Sequence, residues 1–254
     1  MMYRQILSAL VLLVLSSIGQ AQQTRFGQTL CNDPDYACHA VKSGETWDNL
    51  FPNMDEQDLV RRVNRMNIRL RPGMIIAVPR HLERLSIYDV SPFPRYIESS
   101  GEKTIYVSQK QLAFGAYDAD GELLWWGPIS PGIEYCPGVR GGCHTPTGYF
   151  RVIRKQDDSC VSTVFPRRSN GVNGGAQMPW CMHFFRGYAL HGSSEVPGFP
   201  ASHGCVRMFV EDARWLNEDF IDLPGGGGAT GTRVIIDEPP ASVGQVRRQW
   251  TSGR

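Results

Sequence analysis

From Lys103 to Ile236 the apolar residues recur in short runs with a period of two, a pattern that fits pleated strands and cannot give a helix one buried side. Ile105 and Val107 alternate with polar neighbours. Gln111–Tyr117 and Glu122–Ile129 flank Asp118-Ala119-Asp120-Gly121, a hairpin turn signal. Tyr149–Arg154 alternates again, and Gly187–Leu190 and Arg233–Ile236 are short apolar runs. A single stretch keeps helical spacing: Phe209, Ala213, Leu216 and Phe220 share one face between Phe209 and Ile221. Mostly strand with one late helix predicts a mainly β unit, a sandwich or barrel, over residues 103–238. Gly225–Gly228 lacks the Lys-Ser/Thr of a phosphate loop and reads as a connector, and residues 239–254 read as a flexible tail.

Residues 38–80 form a smaller unit of order strand, helix, helix, strand. His39–Lys42 leads through Ser43-Gly44 into a helical turn at Thr46–Phe51. Asp55 is placed to cap a second helix whose Leu59, Val63 and Met66 make one stripe, with Arg and Asn on the other face. Arg71-Pro72-Gly73 is a turn, and Met74–Val78 is a strand ended by Pro79. Residues 81–102, with Pro92 and Pro94 and few periodic apolar positions, read as a linker or an arm lying on the next domain.

Arg4, an apolar run of 13 residues from Ile6 to Ile18, and Gly19-Gln20-Ala21 predict a secretory signal over 1–21, cut after Ala21. The run is too short for a membrane anchor, and no cysteine follows it to be lipidated. Lys plus Arg is 26 against 25 Asp plus Glu, so no global field recruits nucleic acid or anionic lipid. Seven cysteines suit an oxidising compartment, where six can pair and one is left over. Cys31 with Cys38 and Cys136 with Cys143 each flank six residues and could close loops; Cys160 with Cys181 would then remain, leaving Cys205 free. That is one of 105 possible arrangements. Cys38-His39, Cys143-His144 and His203-Gly204-Cys205 also put zinc-ligand types together, but no C-x2-C pair accompanies them, and no metal is assigned.

The chemistry concentrates in Leu190-His191-Gly192 and in Ser202-His203-Gly204-Cys205-Val206-Arg207-Met208. A thiol attacks an acyl carbonyl as thiolate, and a nearby imidazole is the usual means of forming one near neutral pH. Gly204 permits a backbone that bares the sulfur and turns consecutive N–H groups toward one point, as an oxyanion needs. The residues alone describe a candidate thiol acyltransferase; the competing reading is a buried structural cysteine beside a core histidine.

These two segments resemble the signature of the L,D-transpeptidases, the bacterial YkuD-type catalytic domain. Thr145-Pro146-Thr147-Gly148-Tyr149-Phe150 is similar to the family's TPxGxF element, and Met178-Pro179-Trp180 through Phe184–Leu190 to its approach to the histidine. Gly231-Thr232-Arg233-Val234 resembles its closing strand, and an insertion holding Cys136, Cys143 and Cys160 departs from the simplest members. The resemblance implies Cys205 as nucleophile and His191 as general base, oriented by the Gly192 carbonyl. It implies His203 beside the thiol, with Gly204 and Cys205 N–H groups as oxyanion donors. Arg207 would hold a substrate carboxylate, its alternative being a salt bridge to an acid on the following helix. Ser202, Tyr188, Trp180 and Met178 would complete the substrate-binding set. The implied donor is a peptidoglycan stem peptide, cleaved after its third residue with loss of D-alanine. The implied acceptors are a stem amine in a 3→3 cross-link, a lysine of an outer-membrane lipoprotein, a free D-amino acid, or water in an L,D-carboxypeptidase. No cofactor is implied, and a periplasmic enzyme associated with the wall is. A catalytically silent wall-binding protein is the alternative outside enzymology.

The small unit resembles a LysM module, which binds N-acetylglucosamine polymers such as peptidoglycan glycan. The residues that carry this are Val41-Lys42-Ser43-Gly44-Glu45-Thr46-Trp47, Leu70-Arg71-Pro72-Gly73 and Ile76-Ala77-Val78-Pro79.

Overall fold

The computed structural model describes residues 23–134, 136, 142–166, 174–225 and 230–237. The expected export segment and the tail from 239 lie outside them, as does most of the Gly225–Gly228 connector.

The N-terminal unit comprises α1 (Phe26–Thr29), β1 (Tyr36–Ala40), α2 (Trp47–Leu50), α3 (Met54–Val63) and β2 (Ile75–Pro79). β1 and β2 pair antiparallel from Tyr36↔Pro79 to Ala40↔Ile75. Thr46 and Asn49 cap α2 reciprocally, each side chain accepting from the other's backbone N–H. The cap of α3 is Asn53, not Asp55: the Asn53 side chain accepts from Asp55 N at 2.9 Å and Glu56 N at 3.2 Å. Asp55 sits inside the first turn, where its charge still suits the positive end of the helix. Leu59, Val63 and Met66 are buried, as the stripe predicts, but Arg62, Asn64 and Arg65 on the other face are buried too. That face docks on the larger domain. Arg62 donates to Trp126 O and Asp212, Arg65 to Gln111 O, and Asn67 Nδ2 to Ser193 O. Arg62 and Arg65 tolerate burial there because each finds a partner across the junction, whereas Asn64 is satisfied within its own unit by Val60 O and by Ala77 N and O.

Residues 81–102 run as an arm over the sheet. Phe93 and Ile97 pack with Tyr117, Leu123 and Trp126, and Ile97 N donates to Gly121 O. The strands of the larger domain are β3 (Thr104–Ser108), β4 (Ala113–Tyr117), β5 (Leu123–Ser130), β6 (Gly148–Arg151) and β7 (Arg154–Lys155). β8 (Met182–Phe185), β9 (Tyr188–Gly192), β10 (Val206–Met208) and β11 (Arg233–Ile236) complete one sheet of nine strands, ordered β6-β11-β3-β4-β5-β10-β9-β8-β7. β11 with β3 and β9 with β10 are parallel; the other pairs are antiparallel. The two edges, β6 and β7, are consecutive in sequence. Val152 N donates to Thr232 O on one side and Ile153 N to His183 O on the other, so the sheet curls until its edges meet.

The core inside this curl combines Ile105, Phe114, Ile129, Met182, Leu190, Val206 and Met208 with Ala213, Leu216 and Phe220. The last three belong to the predicted late helix, which is α4 (Val210–Trp215) followed by a π-helical turn at Leu216–Phe220. Disulfides join Cys31 to Cys38, Cys136 to Cys143 and Cys160 to Cys181, and Cys205 is free. Among the described residues no helix is long and apolar enough to cross a membrane.

Candidate active site

Parallel pairing sets Leu190 beside Val206, His191 beside Arg207 and Gly192 beside Met208. Leu190, Val206 and Met208 face the core, so His191 and Arg207 face the other way. Two residues earlier, Ala189 in β9 and Cys205 at the entry to β10 pack together on that outer side. Thiol and imidazole thereby come from adjacent strands and line one cavity of about 420 Å³.

The loop entering β10 is fixed by its own polar groups. Ser202 Oγ donates to Cys205 O and accepts from Gly204 N at 3.0 Å. Thr145 Oγ1 donates to Gly204 O at 2.8 Å and accepts from Gly132 N at 2.8 Å. Gly204 has φ +117°, and a Cβ there would lie 2.6 Å from Tyr188 Cε1, so both conformation and space require glycine. With its N–H bonded to Ser202, Gly204 is not a free oxyanion donor in this arrangement, contrary to the sequence expectation.

His191 is buried, and its Nδ1 lies 2.9 Å from Gly192 O. A carbonyl only accepts, so Nδ1 carries the proton and Nε2 keeps a lone pair in the neutral ring. Burial pulls the His191 pKa down to about 4, against the Gly192 carbonyl, with Arg207 and His183 adding to the fall. Burial raises the Cys205 thiol above its ordinary value, opposed by a hydrogen bond from the Ala189 backbone and by the Arg207 charge. Both groups are therefore uncharged at neutral pH, and a proton must move as sulfur attacks.

Residues 156–165 and 176–178 supply one wall of the space around the thiol. The Cys160–Cys181 bridge, Met178 and Ala189 form a small apolar cluster against which Cys205 packs. Phe165 stacks on His203 with ring centroids 4.5 Å apart. Burial lowers the His203 pKa, as does Arg207 to a smaller degree. A second cavity of about 520 Å³, lined by Arg154, Gln156, His183 and Tyr188, shares Cys205, His203 and Met178 with the first. The sulfur thus stands where two cavities meet. Among the described residues no cluster of His, Cys, Asp or Glu could hold a metal ion.

Residues 102–236, more than half of the chain, match the family profile of the YkuD L,D-transpeptidase catalytic domain. The chain belongs to the L,D-transpeptidase family. The L,D-transpeptidase of Xylanimonas cellulosilytica (residues 123–326) is similar at 26% identity and TM-score 0.48, over 70% of this chain and 77% of that one. An L,D-transpeptidase from Stackebrandtia nassauensis aligns at 17% identity and TM-score 0.43, over 74% and 80%. L,D-transpeptidase 3 of Mycobacterium tuberculosis, solved with a faropenem-derived adduct, aligns at 20% identity and TM-score 0.41, over 54% and 60%. Comparison with curated proteins finds no match.

In this L,D-transpeptidase domain the remaining predicted residues separate. Arg207 lines the first cavity, its Nη1 3.3 Å from Glu195 O and 3.5 Å from Glu195 Oε2. The acid beside it therefore lies on the β9–β10 connection and not on the following helix, and its carboxylate is 74% exposed. Met178 lines both cavities, while Tyr188 lines the second and stacks on Phe185. Trp180 borders neither: it packs on the main core under the Arg214 guanidinium, because φ +59° turns the chain at that point. Sequence reasoning missed Phe165, His183 and the clamping role of Thr145. The threonine stood inside a quoted motif, but nothing local tied Phe165 or His183 to the thiol.

Proposed function

We propose that this domain is a cysteine-dependent L,D-transpeptidase acting on peptidoglycan stem peptides, with Cys205 as nucleophile and His191 as base. One observation carries the reading: the sole unpaired cysteine shares a cavity and a sheet face with a buried histidine whose tautomer leaves Nε2 free. Nε2 takes the thiol proton as sulfur attacks the carbonyl of the third stem residue. The C–S bond forms, the amide C–N bond breaks, and the same proton passes to the departing amine of D-alanine. The Cys205 N–H, with Gly204's engaged, meets the oxyanion. Arg207 holds the donor's carboxylate, its weak contact with an exposed Glu195 being easily exchanged. His203 and Met178 shape the passage between the cavities.

The thioester is then resolved by a stem amine, giving a 3→3 cross-link; a lipoprotein lysine and a D-amino acid are further amine acceptors. The strand–helix–helix–strand unit holds the glycan as a LysM-like module and raises the local concentration of stems. The three disulfides support an extracytoplasmic, wall-associated protein exported by residues 1–21. Incubation with tetrapeptide muropeptides and separation of products tests the assignment. Cross-linked dimers are expected, tripeptides alone would make it a carboxypeptidase, and unchanged tetrapeptide would refute it.

A further inference from the structure

His183 lies in the middle of β8, where a valine or isoleucine would satisfy the sheet. Its neighbours Met182 and Phe184 point into the main core, so His183 faces the opposite way. Antiparallel pairing sets it beside Ala189, and Cys205, one residue before the parallel pair Val206↔Leu190, packs against that alanine. Directly paired residues share a face, so imidazole and methyl form a rung across β8 and β9 that the thiol, at the entry to β10, continues. Two strand spacings separate the ends of that rung by about 10 Å between Cα atoms.

The ring is only 6% exposed, and its Nδ1 is closed to solvent with no hydrogen-bond partner. Buried polar nitrogens are as a rule bonded, so this one asks for a reason. The imidazole lines the second cavity, which Cys205 also lines and His191 does not. An amine that reaches the thioester from this side meets His183 and no other histidine but His203, whose ring is stacked on Phe165.

We propose that His183 is a second catalytic imidazole, serving the acceptor amine when it resolves the acyl-enzyme from the cavity that His191 does not reach. The inference rests on the transpeptidase reading and names the group that acts in its second half. The acceptor ammonium loses one proton to water as it enters. Its lone pair attacks the thioester carbonyl, the C–N bond forms and the C–S bond breaks. The second amine proton passes to Nε2 of the His183 ring, since Nδ1 is closed to solvent, and returns to the Cys205 sulfur, so both groups end neutral. Burial and then the neighbouring Arg154 charge hold the His183 pKa at about 4, which keeps the ring able to accept. The same charge disfavours an ammonium in the cavity and favours the reactive neutral amine.

The test separates the half-reactions under single turnover, using a stem tetrapeptide as donor and a stem tripeptide as amine. Intact mass follows the Cys205 adduct in the wild type, His183→Asn and His183→Gln. Both variants should form the adduct within about twofold of the wild-type rate, which also shows that they fold. The adduct should then persist, with amide product appearing on the order of 100-fold more slowly. Clearance by the amine at the wild-type rate would overturn the proposal. So would a matching loss of adduct formation in both variants, which would make His183 a residue of the fold or the donor site. If the wild type forms no adduct, the transpeptidase reading itself fails, a result distinct from either.

Discussion

Arg62 and Asp212 form a doubly hydrogen-bonded ion pair shut away from water. Nη2 lies 2.9 Å from Oδ1 and Nη1 3.1 Å from Oδ2, with the side chains 2% and 0% exposed. Burial works against the Arg62 charge, but Asp212 and Asp58 outweigh it and raise the guanidinium pKa above its ordinary value. Asp212 belongs to α4, which packs on β9, the strand of His191. The pair thereby fastens the N-terminal unit to the support of the catalytic strand.

Removing one partner should be costly. Arg62→Leu leaves the Asp212 carboxylate buried without its cation, for an expected loss of about 3–5 kcal/mol in urea denaturation. Trp125 and Trp126 at the junction supply the fluorescence signal. The double variant Arg62→Leu/Asp212→Leu should recover much of that loss, because no uncompensated charge remains. A single variant as stable as the wild type would contradict the coupling.

Gly204→Ala should fold with a distorted nucleophile loop. The added carbon meets the Tyr188 ring at 2.6 Å and φ +117° suits no alanine, so about 1–3 kcal/mol of strain falls on the segment that carries Cys205. Cys205 acylation should slow at least tenfold, read as adduct formed per minute by mass. An unchanged rate would show that the conformation of Gly204 does not matter.

Acid should weaken the fold before its carboxylates titrate. His191 and His183 are held at about 4, whereas in the unfolded chain each protonates near 6.5. Between those values the unfolded state binds more protons, so stability is full above about pH 6.5 and falls as pH drops toward 4. The loss from pH 7 to pH 5 should approach roughly 2 kcal/mol per histidine. His191→Gln should make the slope of urea midpoint against pH shallower, the remainder coming from His183 and His203. A midpoint that does not move over this range would refute the account of their burial.

Much of this was legible in the chain itself. Strand alternation locates β3 to β5 and β11, and Phe209–Ile221 locates the late helix, because period reports which face is buried. The SHGC segment points at Cys205 because a glycine before a thiol has a conformational meaning. β8 was hidden because its Met182-His183-Phe184-Phe185 run reads as apolar approach to the histidine. The burial of Arg62 and Arg65 was hidden because a cation looks solvent-facing until its partner, 150 residues away in Asp212 for Arg62, is known. His183 and Phe165 come to the thiol only through sheet register and the stacking of Phe165 on His203, which no local pattern encodes.

The most direct measurement is the intact mass of the wild type and Cys205→Ala after incubation with a stem tetrapeptide ending in D-alanine. The wild type should gain the mass of the donor less D-alanine, on Cys205 alone, and Cys205→Ala should gain nothing. A wild type that stays unmodified while the donor is consumed, or an adduct that survives in Cys205→Ala, would contradict it.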